Sequence, residues 1–97
     1  MSSIVKDNEL QILTKLTNLQ KLNLDLSFIT DKDLQNLIYL TKLQQLNLFL
    51  CKNITGDGLK YLMKLTNLKQ LNVYESGISN NGLKYLMNLT NLQKLDL

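Results

Sequence analysis

Cys51 is the single cysteine of the 97-residue chain, and there is no histidine anywhere to activate it. A nucleophilic thiol needs a neighbour that lowers its pKa, most often an imidazole. Cys51 therefore reads as a structural residue. The missing histidine also removes the commonest general base and a usual zinc ligand. Carboxylates offer two pairings, Asp31 with Asp33 and Asp25 with Glu75 across a sheet. The first pair falls where a helix should begin, and negative charge there is favoured by the helix dipole without any catalytic role. Gly56-Asp57-Gly58 lacks the further glycine and the Lys-Ser/Thr of a phosphate loop, and reads as spacing at a helix entry. No catalytic residue, cofactor or metal is expected.

The chain carries eleven lysines against eight acidic residues, a formal charge of +3. Nucleic-acid binding would want those cations clustered and would favour arginine for bidentate contacts. There is no arginine, and the lysines are scattered: Lys32, Lys60, Lys64 and Lys84 on the helical halves, the rest elsewhere. This is solubilising charge, and no nucleic-acid partner is expected. The longest apolar run, Leu48 to Cys51, is far short of the roughly 18 residues of a membrane span. The start MSSIVKDNEL has neither the basic nor the apolar region of a signal peptide. The expected location is the cytoplasm, or a host cytosol reached without a classical signal. On that footing Asn53-Ile54-Thr55 and Asn88-Leu89-Thr90, which fit the glycosylation pattern, are not expected to be modified.

The elements that position these residues are set by internal repetition. TNLQKLNLDLSFITDKDLQNLIYL (Thr17 to Leu40) aligns with TKLQQLNLFLCKNITGDGLKYLMKL (Thr41 to Leu65) and with TNLKQLNVYESGISNNGLKYLMNL (Thr66 to Leu89). A fourth copy, TNLQKLDL, runs from Thr90 to Leu97. Anchor leucines Leu19, Leu43, Leu68 and Leu92 stand 24, 25 and 24 residues apart, the odd residue arising at Lys52-Asn53.

Each copy changes period halfway. Leu46 and Leu48 alternate with polar residues, as in a strand buried on one face. Leu59, Leu62 and Leu65 are three apart, with Met63 beside them, as in a short helix. Thr30, Thr55 and Ser79 stand where a hydroxyl can cap the helix, and Thr30-Asp31-Lys32-Asp33 approximates a capping box. Met63 and Met87, aligned with Ile38, read as core fillers; Tyr61 and Tyr85 read as packing on the outer face. One such unit cannot hide its apolar faces alone, but a stack of them shares a continuous leucine core.

The pattern LxxLxLxx(C/S)x(x)ITDxGL resembles the leucine-rich repeat family, closest to the cysteine-containing subclass of F-box proteins. Leu43, Leu46, Leu48, Cys51, Ile54, Thr55, Gly58, Leu59 and Leu62 carry the likeness best, and it extends over nearly all of Thr17 to Leu97. Ser27 and Ser76 replace the cysteine in the other copies. The resemblance implies an α/β solenoid with a parallel sheet on the concave face and short helices on the convex face. It also implies a protein-binding scaffold, in its narrower form the substrate-recognition part of an SCF-type ubiquitin ligase or of a bacterial effector mimicking one. No F-box helices are visible before Thr17.

With Leu22, Leu24, Leu46, Leu48, Leu71, Val73 and Leu95 turned inward, the residues between them must face the other way. They form columns: Lys21, Gln45, Gln70 and Lys94; then Asn23, Asn47, Asn72 and Asp96; then Asp25, Phe49 and Tyr74. These eleven are the expected partner-binding residues. The asparagines also suit an amide ladder running along the stack, and Phe49 and Tyr74 suit the energetic centre of an interface. Val5-Lys6-Asp7, Leu10, Leu13 and Leu16 match the helical half of a repeat. The expected organisation is a partial repeat over 1–16 followed by a single solenoid over 17–97. The chain thus reads as part of a longer array, or as one whose edge at Leu95–Leu97 is covered, for instance by self-association.

Overall fold

A computed structural model describes residues 12–78 and 80–97. Four three-residue strands, β1 (Lys21–Asn23), β2 (Gln45–Asn47), β3 (Gln70–Asn72) and β4 (Lys94–Asp96), form one parallel sheet in chain order. The register places Lys21 beside Gln45, Gln45 beside Gln70, and Gln70 beside Lys94. The columns expected from the repeat spacing are thus neighbours in the sheet. The extra residue in the second copy does not slip the register, because it lies in the loop beyond the strand. Gly77 makes room for that loop: a Cβ there would stand 2.6 Å from the Lys52 carbonyl oxygen and 2.7 Å from that of Ile54.

Alternation buries one side of every strand. Leu22, Leu24, Leu46, Leu48, Leu71 and Val73 join the helical leucines and Ile29 and Ile54 in one cluster. Burying a leucine contributes about 1.5–3 kcal/mol against leaving it in water, so this shared core is the main force holding the copies together. Leu13 belongs to the same core, whereas Leu16 is exposed. Val5, Lys6, Asp7, Leu10 and the cap residue Ser79 lie outside the described residues.

The helical halves differ from the expectation of three similar helices. Gly56–Leu62 is an α-helix (α1), but Asp33–Tyr39 (η1) and Asn80–Asn88 (η2) are 3-10 helices. Leucines three apart line up equally well on a 3.0-residue turn, so spacing alone does not separate the two. Capping does distinguish α1 from η1. Thr55 accepts from the Asp57 N–H at 3.3 Å at the head of α1, while no side chain caps η1. Thr30 acts as a donor instead, its N–H and hydroxyl both reaching Asp33 Oδ2 at 2.8 and 3.1 Å. Only the carboxylate half of the expected capping box is formed.

Asp31 serves the next copy rather than its own: its carboxylate accepts from the Thr55 N–H at 2.7 Å and from the Thr55 hydroxyl. The cap of α1 is therefore itself held by the preceding repeat. Such an approach leaves no room for side chains behind it. A Cβ on Gly58 would overlap Asp31 Oδ1 and stand 2.8 Å from Leu34 Cδ1, and one on Gly82 would stand 2.5 Å from Gly56 Cα. At the other end of each repeat, Asn67 Nδ2 donates to the Thr41 carbonyl at 2.8 Å and Asn91 Nδ2 to that of Thr66 at 3.0 Å. Lys42, in the asparagine's place, donates to Asn18 at 2.9 Å. The recurring Thr-Asn-Leu is the sequence signal of these staples, which the leucine pattern alone does not disclose.

Candidate functional site: the open face of the sheet

The outward side of the four strands forms an open groove of about 390 Å³. Its walls come from two of the columns, Lys21, Gln45, Gln70 and Lys94, and Asn23, Asn47, Asn72 and Asp96. Its floor is strand backbone at Leu22, Leu46 and Leu71, whose side chains point into the core. Eight of the eleven expected residues thus share one surface. Asp25, Phe49 and Tyr74 stand just past the strand ends, as the next column along the same edge.

The asparagine column does not form the expected ladder. Asn23 Oδ1 accepts from the Asp25 N–H at 3.0 Å, Asn47 Oδ1 from Phe49 at 2.9 Å, and Asn72 Oδ1 from Tyr74 at 2.9 Å. A short amide side chain reaches the N–H two residues on more readily than it bridges strands, as in an Asx turn. This has two consequences. Each of β1, β2 and β3 is ended by its own asparagine, which aims the third column. Each amide also turns its acceptor inward, leaving the NH2 as the part available to solvent or a ligand. Among the described residues, the Lys21 and Lys94 ammonium groups likewise have no hydrogen-bond or ion-pair partner.

The third column is set by backbone as well. Leu26, Leu50 and Glu75 have φ of 62°, 59° and 60°, in the left-handed region that non-glycine residues seldom occupy. Two of these N–H groups remain in the ladder: Leu26 donates to Phe49 O at 2.8 Å and Leu50 to Tyr74 O at 3.0 Å. The residue types do not announce the left-handed step, since none of its three positions holds glycine or asparagine. Its effect is to leave Leu26 49% exposed beside the aromatic column. Phe49 and Tyr74 stack with centroids 5.9 Å apart and planes 9° from parallel, Tyr74 being 48% exposed. The rings pack on each other, and not on Phe28, which is 76% exposed. Asp25 completes the column with one carboxylate oxygen, Oδ1, buried without a partner. It forms no acidic pair with Glu75, because β2 stands between their strands.

Cys51 is fully buried beneath the face. Its thiol donates to the Leu24 carbonyl at 3.0 Å and lies 3.5 Å from Ser27 Oγ, while Ser27 and Ser76 donate at 2.7 Å to Leu24 and Val73 at their own strand ends. Burial pushes the thiol pKa above its ordinary value, outweighing the lowering by the Ser27 bond. A thiol kept protonated is a weak nucleophile, so its place here is packing and carbonyl capping.

The opposite side of the molecule is built differently. Tyr61 and Tyr85 pack against the core, each beneath a lysine, Lys60 or Lys84, at 5.2 Å, and Tyr61 accepts from Gln35 at 2.7 Å. Met63 is half-buried, and Met87 is 82% exposed, contrary to a core-filling role for both. Among the described residues, no helix lies beyond η2 to pack over Met87. No described helix is long and apolar enough to cross a membrane.

Parallel strands alternating with short helices, stacked through a leucine core, make an α/β solenoid. Residues 39–63 match the leucine-rich repeat family, so the fold and the second copy's sequence agree on the class. Leucine-rich repeats are generally protein-binding and typically non-catalytic. No curated protein matches the chain.

Proposed function

We propose that the chain is a non-catalytic protein-interaction module that holds its partner on the open face of the sheet, with Lys21, Asn23, Asp25, Gln45, Asn47, Phe49, Gln70, Asn72, Tyr74, Lys94 and Asp96 as the contact residues. The observation that carries this reading is the division of labour between the two faces. Inward leucines do the folding, whereas the outward columns line a groove with donors that the fold leaves unused. Selection of displayed peptides on the wild-type chain, followed by rebinding to a Phe49→Ala/Tyr74→Ala variant and to a Tyr39→Ala variant on the helical side, tests it. Binders that lose at least tenfold on the first and nothing on the second are expected. Binders indifferent to the first and sensitive to the second would place the interface on the wrong side.

The narrower reading is a substrate receptor of an SCF-type ubiquitin ligase, or a bacterial effector mimicking one, acting in a cytosol. It is favoured by Cys51, which occupies the subclass position and caps a carbonyl of the neighbouring repeat. Co-purification of ligase adaptor proteins with the chain, lost on unfolding the repeats, is the expected result.

A further inference from the structure

The open face has a chemical direction along its strands. At the strands' starts are Lys21 and Lys94 with two glutamines between them, next comes the row of outward amide NH2 groups, and past the strand ends comes the Phe49–Tyr74 stack flanked by Leu26. Donors dominate the groove, and Asp96 is the one carboxylate that lines it. A partner complementary to this face needs acceptors on one flank and apolar groups on the other.

Dimensions decide what kind of segment can present both. Four strands about 4.8 Å apart span roughly 14 Å, and the lysine and aromatic columns, four residues apart in the chain, are separated by up to about 13 Å. An α-helix with its side chains is about 10–12 Å wide and covers 14 Å with roughly ten residues. Its side chains at i, i+3 and i+4 recur every 5–6 Å, close to the strand spacing. An extended peptide is narrower than the distance between the flanks, and its same-face side chains recur about every 6.7 Å, out of step with the strands.

Resting on the reading that this face is the binding surface, we infer that its occupant is an amphipathic helix lying across the strands, with acidic side chains along the Lys21–Lys94 column and apolar side chains on Phe49, Tyr74 and Leu26. Single-stranded nucleic acid fits less well, because the two rings offer their faces to each other and there is no arginine for phosphate or base.

Fluorescence anisotropy on the full chain tests this with a labelled 14-residue alanine-based helix bearing glutamates along one flank and leucines along the other. Lysines in place of the glutamates, or a central proline, should each weaken binding at least tenfold. Lys21→Glu/Lys94→Glu should cost about tenfold, Tyr74→Ser several-fold, and Lys64→Glu on the helical side nothing. Raising salt from 50 to 300 mM should weaken the glutamate helix several-fold. Circular dichroism of each variant confirms folding. No binding of the glutamate helix, equal binding of the lysine or proline peptide, or indifference to Lys21→Glu/Lys94→Glu overturns the inference. If one of those other peptides binds and Gln70→Trp displaces it, the face remains the binding surface and only the acidic helix falls. If no substitution on the face affects any bound peptide, both readings fall.

Discussion

Replacing Gly58 with alanine sets two effects against each other. In an isolated helix the change would stabilise by about 1 kcal/mol, because alanine is the best helix former and glycine nearly the worst. Here the new methyl would overlap Asp31 Oδ1 and press on Leu34 Cδ1 at 2.8 Å. Forcing the leucine aside costs about 1–3 kcal/mol. Moving the carboxylate gives up its bonds to the Thr55 N–H and hydroxyl. These are worth about 1–2 kcal/mol together, taking the lower range for charge-assisted bonds because Thr55 is exposed. The sterics win, and Gly58→Ala should destabilise the chain by about 1–4 kcal/mol. In an Asp31→Ala background the carboxylate is already gone, so the same substitution should cost at least about 1 kcal/mol less. Urea unfolding of the four proteins of this cycle measures the coupling. Because Asp31 links two repeats, Asp31→Ala should also broaden the transition as neighbouring units uncouple. A stabilising Gly58→Ala, or an equal cost in both backgrounds, would refute the inter-repeat cap.

Glu75 holds a left-handed backbone at φ 60°. Glu75→Asn should stabilise by about 0.5–1 kcal/mol, visible as a rise of a few degrees in Tm, since asparagine tolerates that region better. Cys51, buried with a raised pKa, should react with a thiol reagent at the rate of local opening, far slower than in the urea-unfolded chain. The neutral thiol is favoured in the folded state, so its contribution is complete below its ordinary value of 9.0 and is lost as pH rises past it. A Cys51→Ser variant should show a smaller fall in stability between pH 8 and 10. Gly77→Ala should destabilise by about 1–3 kcal/mol through the carbonyls of Lys52 and Ile54, read by thermal melting, despite an ordinary negative φ.

The leucines made the sheet legible down to its register, because a period of two and a repeat of 24 or 25 residues together leave one way to stack the strands. The same pattern placed the eleven surface residues in their columns. What escaped the pattern was polar geometry. Asn23, Asn47 and Asn72 fit a ladder or a turn equally well as residue types, and the choice depends on where the following N–H points. Asp31 looked like part of a cap within its own repeat, yet its partner is one repeat away. Leu26, Leu50 and Glu75 turn left-handed because the stack requires the chain to leave the sheet there, against their own preference. Met87 is 82% exposed where its equivalents Ile38 and Met63 are half-buried, a difference between copies that the shared pattern does not encode.

Amide-resonance mapping of the labelled chain with a selected peptide ligand tests the central claim most directly. Shifts should concentrate on Lys21–Asn23, Gln45–Phe49, Gln70–Tyr74 and Lys94–Asp96 and spare η1 and α1. Shifts concentrated on Gln35, Tyr39, Lys60 and Lys64, with the strands unmoved, would contradict binding on the open face.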